Sequence, residues 1–434
     1  MIQVTKGMRD FYPEDYQYRD WLFSIFRAAA LQSGFEFYDS PVVEAEELYI
    51  RKAGEEISEQ LYTFEDKSGR RLALRPEMTP SLARMVISRH KELPAVLKWS
   101  SIPQCFRYER MTRGRKREHY QWNLDYLGEP GVFAEAEVIS TAILAIEMMG
   151  LGPNEVKVRI SNRALLSDLL ISMGLNGEAT LKVFLQIDKL GKIPDEQMVE
   201  ELAKIEGMPA GLPAQILNLV KIKDLPQVLQ ILEEHDGNRE GFLQTQALFQ
   251  YLESAGFGSY LVFDLSIVRG LAYYTGTVFE FFDAKKGLRA IAGGGRYDQL
   301  IETLADADLP EKSKGSIQRS AVGFGFGDVV IFELLKDHKK LPVFDPVLDY
   351  YLVPFSNEEV NYLLPVLGML RRKGYSAQMH YPPQKPKKMF SKAEKLGSKV
   401  VLIAGSQERE ERKIKVKDFQ NASEELFDID KWMV

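Results

Sequence analysis

From Leu165 to about Ser254 the chain is rich in Leu, Lys, Glu and Gln at helical spacing, and strand-like alternation is almost absent. Strand-like runs stand on both sides, with Val156–Ile160 before the block and Tyr260–Asp264, Thr277–Phe282 and Ala290–Ala292 after it. Such an order constrains the fold strongly: it predicts one sheet domain interrupted by a helical insertion. We expect residues 1–164 and 257–336 to form the two parts of that domain, and 165–256 the insertion. Lys336–Pro346, polar and with two prolines, reads as a linker to a further domain over residues 345–434.

A second feature is the stretch Cys105–Asp125, which predicts two strands joined by a basic loop at Thr112–Lys116. Strand side chains alternate, so Arg107 and Glu109 would share one face, and His119, Gln121, Asn123 and Asp125 another. Arg110, Arg113, Arg115, Lys116 and Arg117 lie between them. Cations beside aligned polar groups suit a polyanion such as a nucleotide triphosphate. The same residues also suit an exposed hairpin with a solvated charge run.

Upstream, Glu14 to Gln32 reads as an amphipathic helix with Trp21, Leu22, Ile25, Phe26 and Ala29 on its apolar face. Phe35–Val43 follows as a strand broken by Pro41, either an ordinary edge strand or one where another chain packs. Tyr62–Asp66 and Arg71–Leu74 predict a hairpin around Lys67-Ser68-Gly69. Thr79-Pro80 has the form of an N-cap with proline at the first helical position, starting a helix to about His90. Glu77 would then sit at a strand-to-helix turn, aimed away from the core, as an ammonium ligand or as a helix-dipole partner.

Downstream, Phe133–Met149 reads as a helix, and Ser266–Gly276 and Gly293–Asp298 are marked by glycine. Three glycines after a strand let a backbone approach a ligand closely, or let two strands cross. Ala305–Arg319 reads as a loop. Gly323, Gly325 and Gly327 alternate with bulky residues before a helix at Val329–Leu335, leaving a slot for an adenine or a small amino acid. Beyond the linker, strands at Leu348–Val353, Ser376–Met379, Lys399–Ala404 and Lys413–Val416 alternate with helices at Glu358–Lys373 and Lys388–Leu396, a small α/β domain. Its Arg371–Lys399 region holds Arg371, Arg372, Lys373, Lys385, Lys387, Lys388, Lys392, Lys395 and Lys399 against the single acid Glu394. That is a candidate nucleic-acid surface or a solvated helix face.

The net charge of −6 argues against a uniformly basic nucleic-acid coat, and the single cysteine, Cys105, fits a reducing compartment. No apolar run has the length of a membrane span or a signal peptide core, so a cytoplasmic protein is expected. The chain holds no G-x-x-x-x-G-K-S/T, no helix-opening G-x-G-x-x-G, no H-E-x-x-H and no G-x-S-x-G. Its five histidines are scattered, so no metal site is assigned.

Taken in order, these pieces resemble a class II aminoacyl-tRNA synthetase, of the histidyl-tRNA synthetase family. Lys6-Gly7-Met8-Arg9-Asp10-Phe11 resembles the family's opening, and the first helix with the Pro41 strand resembles motif 1, the dimer interface. Cys105–Asp125 resembles motif 2 and Val322–Leu335 motif 3, while RGLAYYTG (269–276) and GGGRYD (293–298) resemble the two segments peculiar to histidyl enzymes. The resemblance implies an α+β fold: an antiparallel catalytic sheet with a helical insertion, plus a C-terminal α/β anticodon-binding-like domain. It also implies a cytoplasmic homodimer, with no membrane association, that activates L-histidine with ATP and Mg2+ and transfers it to tRNA(His).

Carried over by motif, Arg107 and Arg269 would be catalytic at the α-phosphate, Arg269 standing where other class II enzymes use a metal ion. ATP would be held by Arg107, Glu109, Arg115 and His119, the last stacking where the family has an aromatic ring. Glu77, Thr79 and Gln121 would take the α-ammonium of histidine, Arg107 and Arg269 its carboxylate region, and Asp125 and Tyr274, next to Tyr273, its imidazole nitrogens. The chain departs from the family at three places. Val329 and Val330 stand where motif 3 ends in Glu-Arg, Ala272 replaces an acid, and His119 replaces a carbocycle. Arg289 or Arg319 is expected to supply the missing cation. A different class of function also fits: the non-catalytic synthetase-like regulatory subunit of ATP phosphoribosyltransferase in histidine biosynthesis. That subunit usually lacks the C-terminal domain and erodes the motif 2 cations, and this chain retains both.

Overall fold

The computed structural model describes residues 2–51, 59–175, 177–191, 193–268, 273–285, 287–307, 314–344, 348–418 and 423–432. Arg269 and Ala272 lie outside them. The chain divides into two compact units, Met1–Leu341 and Pro342–Val434, with the divide inside the expected linker.

Among the described residues the first unit is built on a nine-stranded sheet. Its strands are β1 (Glu36–Phe37), β5 (Leu97–Ser101), β6 (Gln104–Phe106), β7 (Glu118–Leu127), β8 (Val156–Asn162), β9 (Leu261–Phe263), β10 (Thr277–Asp283), β11 (Ala292–Arg296) and β12 (Ala321–Gly327). They run in the order β1-β5-β7-β12-β11-β10-β8-β9, with β6 beside β7. The pairs from β5 through β8 are antiparallel, and only β1 and β9, at the two edges, are parallel to their neighbours.

Alternation along β7 and β12 gives the sheet a dry face and a polar one. Trp122, Leu124, Phe324 and Phe326 point into the main core, where the helix Pro13–Gln32 covers them with Leu22, Phe26 and Ala29. Phe26 stacks on Trp122 at 4.6 Å between ring centroids. Deleting a ring as buried as Phe26 typically costs about 3–5 kcal/mol. The opposite face carries Gln121, Asn123 and Asp125 from β7 and Gly323 and Gly325 from β12, in register Gly323↔Asp125 and Gly325↔Asn123.

The glycine-rich strands fold differently from expectation. Gly293–Gly295 do not follow a strand; they are its centre, since β11 begins only at Ala292. A Cβ on Gly295 would strike the Tyr274 ring and the Thr277 carbonyl, and one on Gly323 the Asp125 carboxylate. Close approach of site side chains therefore overrides the weak strand preference of glycine here. Asp125 leans across Gly323 and Gln121 across Gly325, while Gly325 and Gly327 still line an open cavity.

Phe35–Val43 is likewise not one strand. It splits at Pro41 into β1, on the edge of the large sheet, and β2 (Val43–Ala45), which pairs with β4 (Arg71–Leu74) beside β3 (Tyr62–Glu65). The β3–β4 hairpin turns at Gly69 with φ +77, as the Lys67-Ser68-Gly69 signal predicts.

Among its described residues the segment expected as an insertion carries helices joined by turns, from Arg163–Ser172 to Glu240–Ser254. Asn162 caps its first helix, accepting from the N–H groups of Ala164 at 2.9 Å and Leu165 at 3.2 Å. It has its own core around Leu165, Val183, Ile216 and Leu232, yet its last helix also packs Leu248 and Leu252 into the main core. That shared packing keeps it within the first unit.

The second unit is a five-stranded mixed sheet. Its strands are β13 (Leu348–Pro354), β14 (Ala377–Met379), β15 (Ser398–Ala404), β16 (Lys413–Asp418) and β17 (Ser423–Asp428), in the order β14-β13-β15-β16-β17. The last of these was not expected from the sequence; every residue of β17 is exposed, so it lacks the apolar alternation that marks a strand. Helix Asn357–Arg372 covers one face through Leu363, Val366 and Leu370, and helix Pro386–Lys395 covers the other through Met389 and Ala393. The basic cluster of Arg371–Lys399 is thus split between two faces. Arg371 is further occupied by the Ala377 carbonyl and Lys399 by Asp349. Lys385, Lys388, Lys392 and Lys395 remain as one exposed row.

Candidate active site

The basic hairpin is shorter in strand and longer in loop than expected. β6 ends at Phe106, and the last rung is the Arg107 N–H to the Arg117 carbonyl at 2.9 Å. Arg107 and Glu109 therefore do not share a face by strand alternation. They meet because the chain turns back at once, the Glu109 N–H donating to the Arg107 carbonyl at 2.8 Å. Of the loop cations, Arg107, Arg115 and Lys116 line a cavity of about 550 Å³. Arg117 instead stacks on Tyr108 at 3.7 Å, and Arg113 pairs with Glu333 at 2.9 Å and Asp337 at 2.7 Å.

The cavity is of the size that takes a nucleotide. Glu109, His119 and Gln121 share its wall with Arg289, Glu280 and the backbone of Gly293 and Gly325. Arg115 pairs with Glu109. Burial, then the charge of Arg107, pushes the His119 imidazole down to about 3, so the ring is neutral at physiological pH and presents an uncharged face for stacking. Gly114 rests against Val330, and both Val329 and Val330 line the cavity where the family's arginine is missing. Of the two expected substitutes, Arg289 lines the cavity. Arg319 does not: it donates to the Pro94 carbonyl at 2.9 Å and the Leu93 carbonyl at 3.4 Å.

The remaining site residues form a buried polar cluster instead of cavity wall. Glu77 is not aimed away from the core as expected; it is 6% exposed, at 3.4 Å from the Tyr273 hydroxyl. Burial holds its carboxyl above the usual range, while Arg107 and the Tyr273 hydroxyl oppose that rise. Thr79 is the first residue of the helix Thr79–Ser88, buried beside Glu77, and Met78 occupies the cap position in its place. Tyr273 and Tyr274 pack against each other at 5.0 Å between ring centroids.

At the centre of this cluster is Asp125, 1% exposed. Its Oδ1 accepts from the Tyr297 hydroxyl at 2.5 Å, and its Oδ2 has no partner. Burial raises its carboxyl to about 7, opposed by the Tyr297 hydrogen bond. A buried acceptor without a donor is costly unless a ligand supplies one. The two regions join along the polar face of β7, where Gln121 donates to Asn123 at 2.9 Å one residue pair above Asp125, and where Arg107 donates to the Pro76 carbonyl at 2.9 Å beside Glu77. Arg269 lies outside the described residues.

Several contributors escape sequence reasoning. Tyr297, within GGGRYD, donates its hydroxyl to Asp125, a contact that a motif match alone does not reveal. Arg296 of the same motif is structural, holding Glu135 through two bonds of 2.7 and 2.5 Å in the core. Arg9 ties the N-terminal segment to both motif regions, reaching Glu118 at 2.5 Å and the buried Asp328 at 2.9 Å. Burial raises the Asp328 carboxyl to about 6 against the pull of Arg9.

An antiparallel sheet with a cation-lined cavity on its polar face, a motif 2 loop over it and a glycine-rich motif 3 strand through its centre defines a class II aminoacyl-tRNA synthetase. Solved structures share this fold. A histidyl-tRNA synthetase from Nostoc sp. PCC 7120 superposes with a TM-score of 0.79 over 100% of this chain and 98% of that one, at 23% identity. An ATP phosphoribosyltransferase regulatory subunit/histidyl-tRNA synthetase from Bacillus halodurans gives 0.73 over 90% and 96%, at 24% identity. Residues 7–326 match the family model for histidyl-tRNA synthetase, and residues 349–433 that for an anticodon binding domain. The chain is 42% identical over 416 residues to the chloroplastic/mitochondrial histidine–tRNA ligase of Arabidopsis thaliana, covering 96% of this chain and 83% of that protein. It is 36% identical over 425 residues to the histidine–tRNA ligase of Opitutus terrae, covering 98% and 95%. The chain belongs to the histidyl-tRNA synthetase family.

Proposed function

We propose that this chain activates L-histidine with ATP to histidyl-adenylate and transfers it to tRNA(His), and that the residues above divide the work as follows. ATP, with Mg2+ as its companion, lies in the cavity with its base between His119 and the wall, its amino group on Glu109 and its terminal phosphates on Arg115. Histidine lies along β7 with its ammonium on Glu77, Thr79 and Gln121 and its ring between Asp125 and the tyrosines 273 and 274. The observation that carries this reading is the unpartnered Oδ2 of the buried Asp125, an acceptor for one imidazole N–H. A hydroxyl from Tyr274 meets the other nitrogen. An apolar side chain of similar size leaves both groups unpaired, which is how such a site rejects it.

Attack of the histidine carboxylate on the α-phosphorus forms the mixed anhydride and releases pyrophosphate. Charge accumulates on the phosphoryl oxygens, so fixed cations lower the barrier more than any covalent step by the protein. Arg107, anchored by the Pro76 carbonyl, is held for this role, and we assign Arg269 to the opposite side of the phosphorus. The Arg115–Glu109 pair must open as ATP enters, each partner being taken up by one end of the nucleotide. The exposed lysine row of the second unit is assigned to the anticodon arm. Edge strand β1, with Phe37 and Val42 exposed nearby, is assigned to the homodimer contact, and the protein is placed in the cytoplasm. Among the described residues no helix is long and apolar enough to cross a membrane.

Charging of tRNA(His) with labelled histidine tests the whole reading; histidine binding without charging or exchange would favour the regulatory alternative. Two further results are expected. Arg289→Ala raises the ATP KM about tenfold, the size of one charge-assisted contact, whereas Arg319→Ala leaves it unchanged; equal effects would remove Arg289 from the phosphate site. Because the Asp125 carboxyl titrates near 7, the acceptor is lost as pH falls. The histidine KM should therefore rise below that point, by up to about tenfold per pH unit. A KM flat between pH 6 and 9 would contradict the role of Asp125.

A further inference from the structure

The core of the helical insertion is not closed by its own helices. Phe263, Leu265 and Val268 complete it, with Leu265 at 0% and Val268 at 3% exposure. These residues lead directly into the segment 269–276 that carries Tyr273 and Tyr274. Between them Asp264, 5% exposed, gathers contacts from three directions. Its N–H donates to the Ile160 carbonyl of β8 at 2.9 Å, and its Oδ1 accepts from the Ser266 N–H at 3.1 Å and hydroxyl at 2.5 Å. Its carboxylate also pairs with Lys223, from the insertion, and stands 3.6 Å from Arg159.

The far end of the same stretch is fastened to the insertion as well. The Arg163 N–H, at the start of the insertion's first helix, donates to the Gly276 carbonyl at 3.0 Å. The Arg163 guanidinium lies 5.0 Å from the Phe184 ring, inside the insertion. The described ends of this stretch, Asp264–Val268 and Gly276, are thus both fastened to the insertion. Tyr273 and Tyr274 lie between those two anchors, with Tyr273 also packed 6.0 Å from Tyr297.

We propose that the helical insertion is a positioning element for histidine, acting through Lys223 and Asp264, which set where Tyr273 and Tyr274 stand. Neither residue touches a substrate. The inference rests on the histidine-binding reading above, and it gives the insertion a part in the first half-reaction.

Lys223 is the informative handle, because its side chain is half exposed and its loss opens no cavity. Asp264→Asn keeps an acceptor for Ser266 while removing the charge that holds Lys223 and Arg159. Histidine and ATP affinities of the full-length protein are to be measured separately by calorimetry, with melting curves alongside. Lys223→Met is expected to weaken histidine binding about three- to tenfold and leave ATP binding unchanged within twofold. Lys223→Arg should restore the wild-type affinity, and Asp264→Asn should shift histidine binding in the same direction as Lys223→Met. Histidine affinity within twofold of wild type in both Lys223→Met and Asp264→Asn would overturn the proposal, as would equal losses for histidine and ATP. A wild type that binds histidine but exchanges no pyrophosphate would defeat the activation reading alone, the affinity comparison still deciding the positioning role. A wild type that binds no histidine would defeat both.

Discussion

Arg107→Ala is expected to lower kcat for histidine-dependent ATP–pyrophosphate exchange by about 100- to 1,000-fold, the range for removing one preorganised group at a developing charge. On the proposed reading Arg107 acts in the transition state more than in ground-state binding. It is half-buried, its Nε is committed to the Pro76 carbonyl at 2.9 Å, and its charge is felt by Glu77 and His119 on either side. The KM values for ATP and histidine should change far less than kcat. Arg107→Lys keeps the charge but loses the fork that spans carbonyl and phosphate, so it should recover only part of the rate. Wild-type kcat in Arg107→Ala, with the melting temperature unchanged, would remove it from the mechanism.

The second large effect is at Asp125. Asp125→Asn is expected to lower kcat/KM for histidine by about 10- to 100-fold, the worth of a hydrogen bond to a charged acceptor. ATP affinity, set in the neighbouring cavity, should stay close to wild type. Stability should move the other way. The folded-state carboxyl sits near 7, above the ordinary value of 3.8, so the native protein retains a proton that the unfolded chain releases. Its contribution to stability is therefore present below 3.8 and is lost as pH rises through about 7. Asparagine has no charge to bury, so the melting temperature of Asp125→Asn should rise relative to wild type between pH 5 and pH 8. A variant less stable than wild type at pH 8, with histidine turnover intact, would reverse both halves of this account.

Much of the architecture was legible from the chain because local pattern and global fold agree. The helix Pro13–Gln32 shows its buried face as Leu22, Ile25, Phe26 and Ala29, and the linker falls where composition turns polar. What was not legible depends on distant partners. Gly293–Gly295 read as lying beyond the end of a strand because glycine disfavours strands, and only the bulk of Tyr274 and neighbouring strands explains their place in mid-sheet. The first motif 2 strand ends early because residues past Phe106 find partners across the fold, as Tyr108 does at the Gln60 carbonyl. Arg9 pairs with Glu118 and Asp328 across 109 and 319 residues, separations at which no local signal exists. Tyr297 lay inside a recognised motif, but its hydroxyl could be assigned only once β7 and β11 had been brought side by side around β12. The same placement separates Arg289, in the cavity wall, from Arg319, held at the Pro94 carbonyl, which the sequence leaves equivalent.

On the proposed reading this polar face of the sheet turns over histidine and no other amino acid. The decisive assay is amino-acid-dependent exchange of labelled pyrophosphate into ATP, run on the full-length protein with each of the twenty amino acids in turn. Exchange with histidine alone is the predicted result. No exchange with histidine, or equal exchange with an apolar or amide side chain, would contradict it.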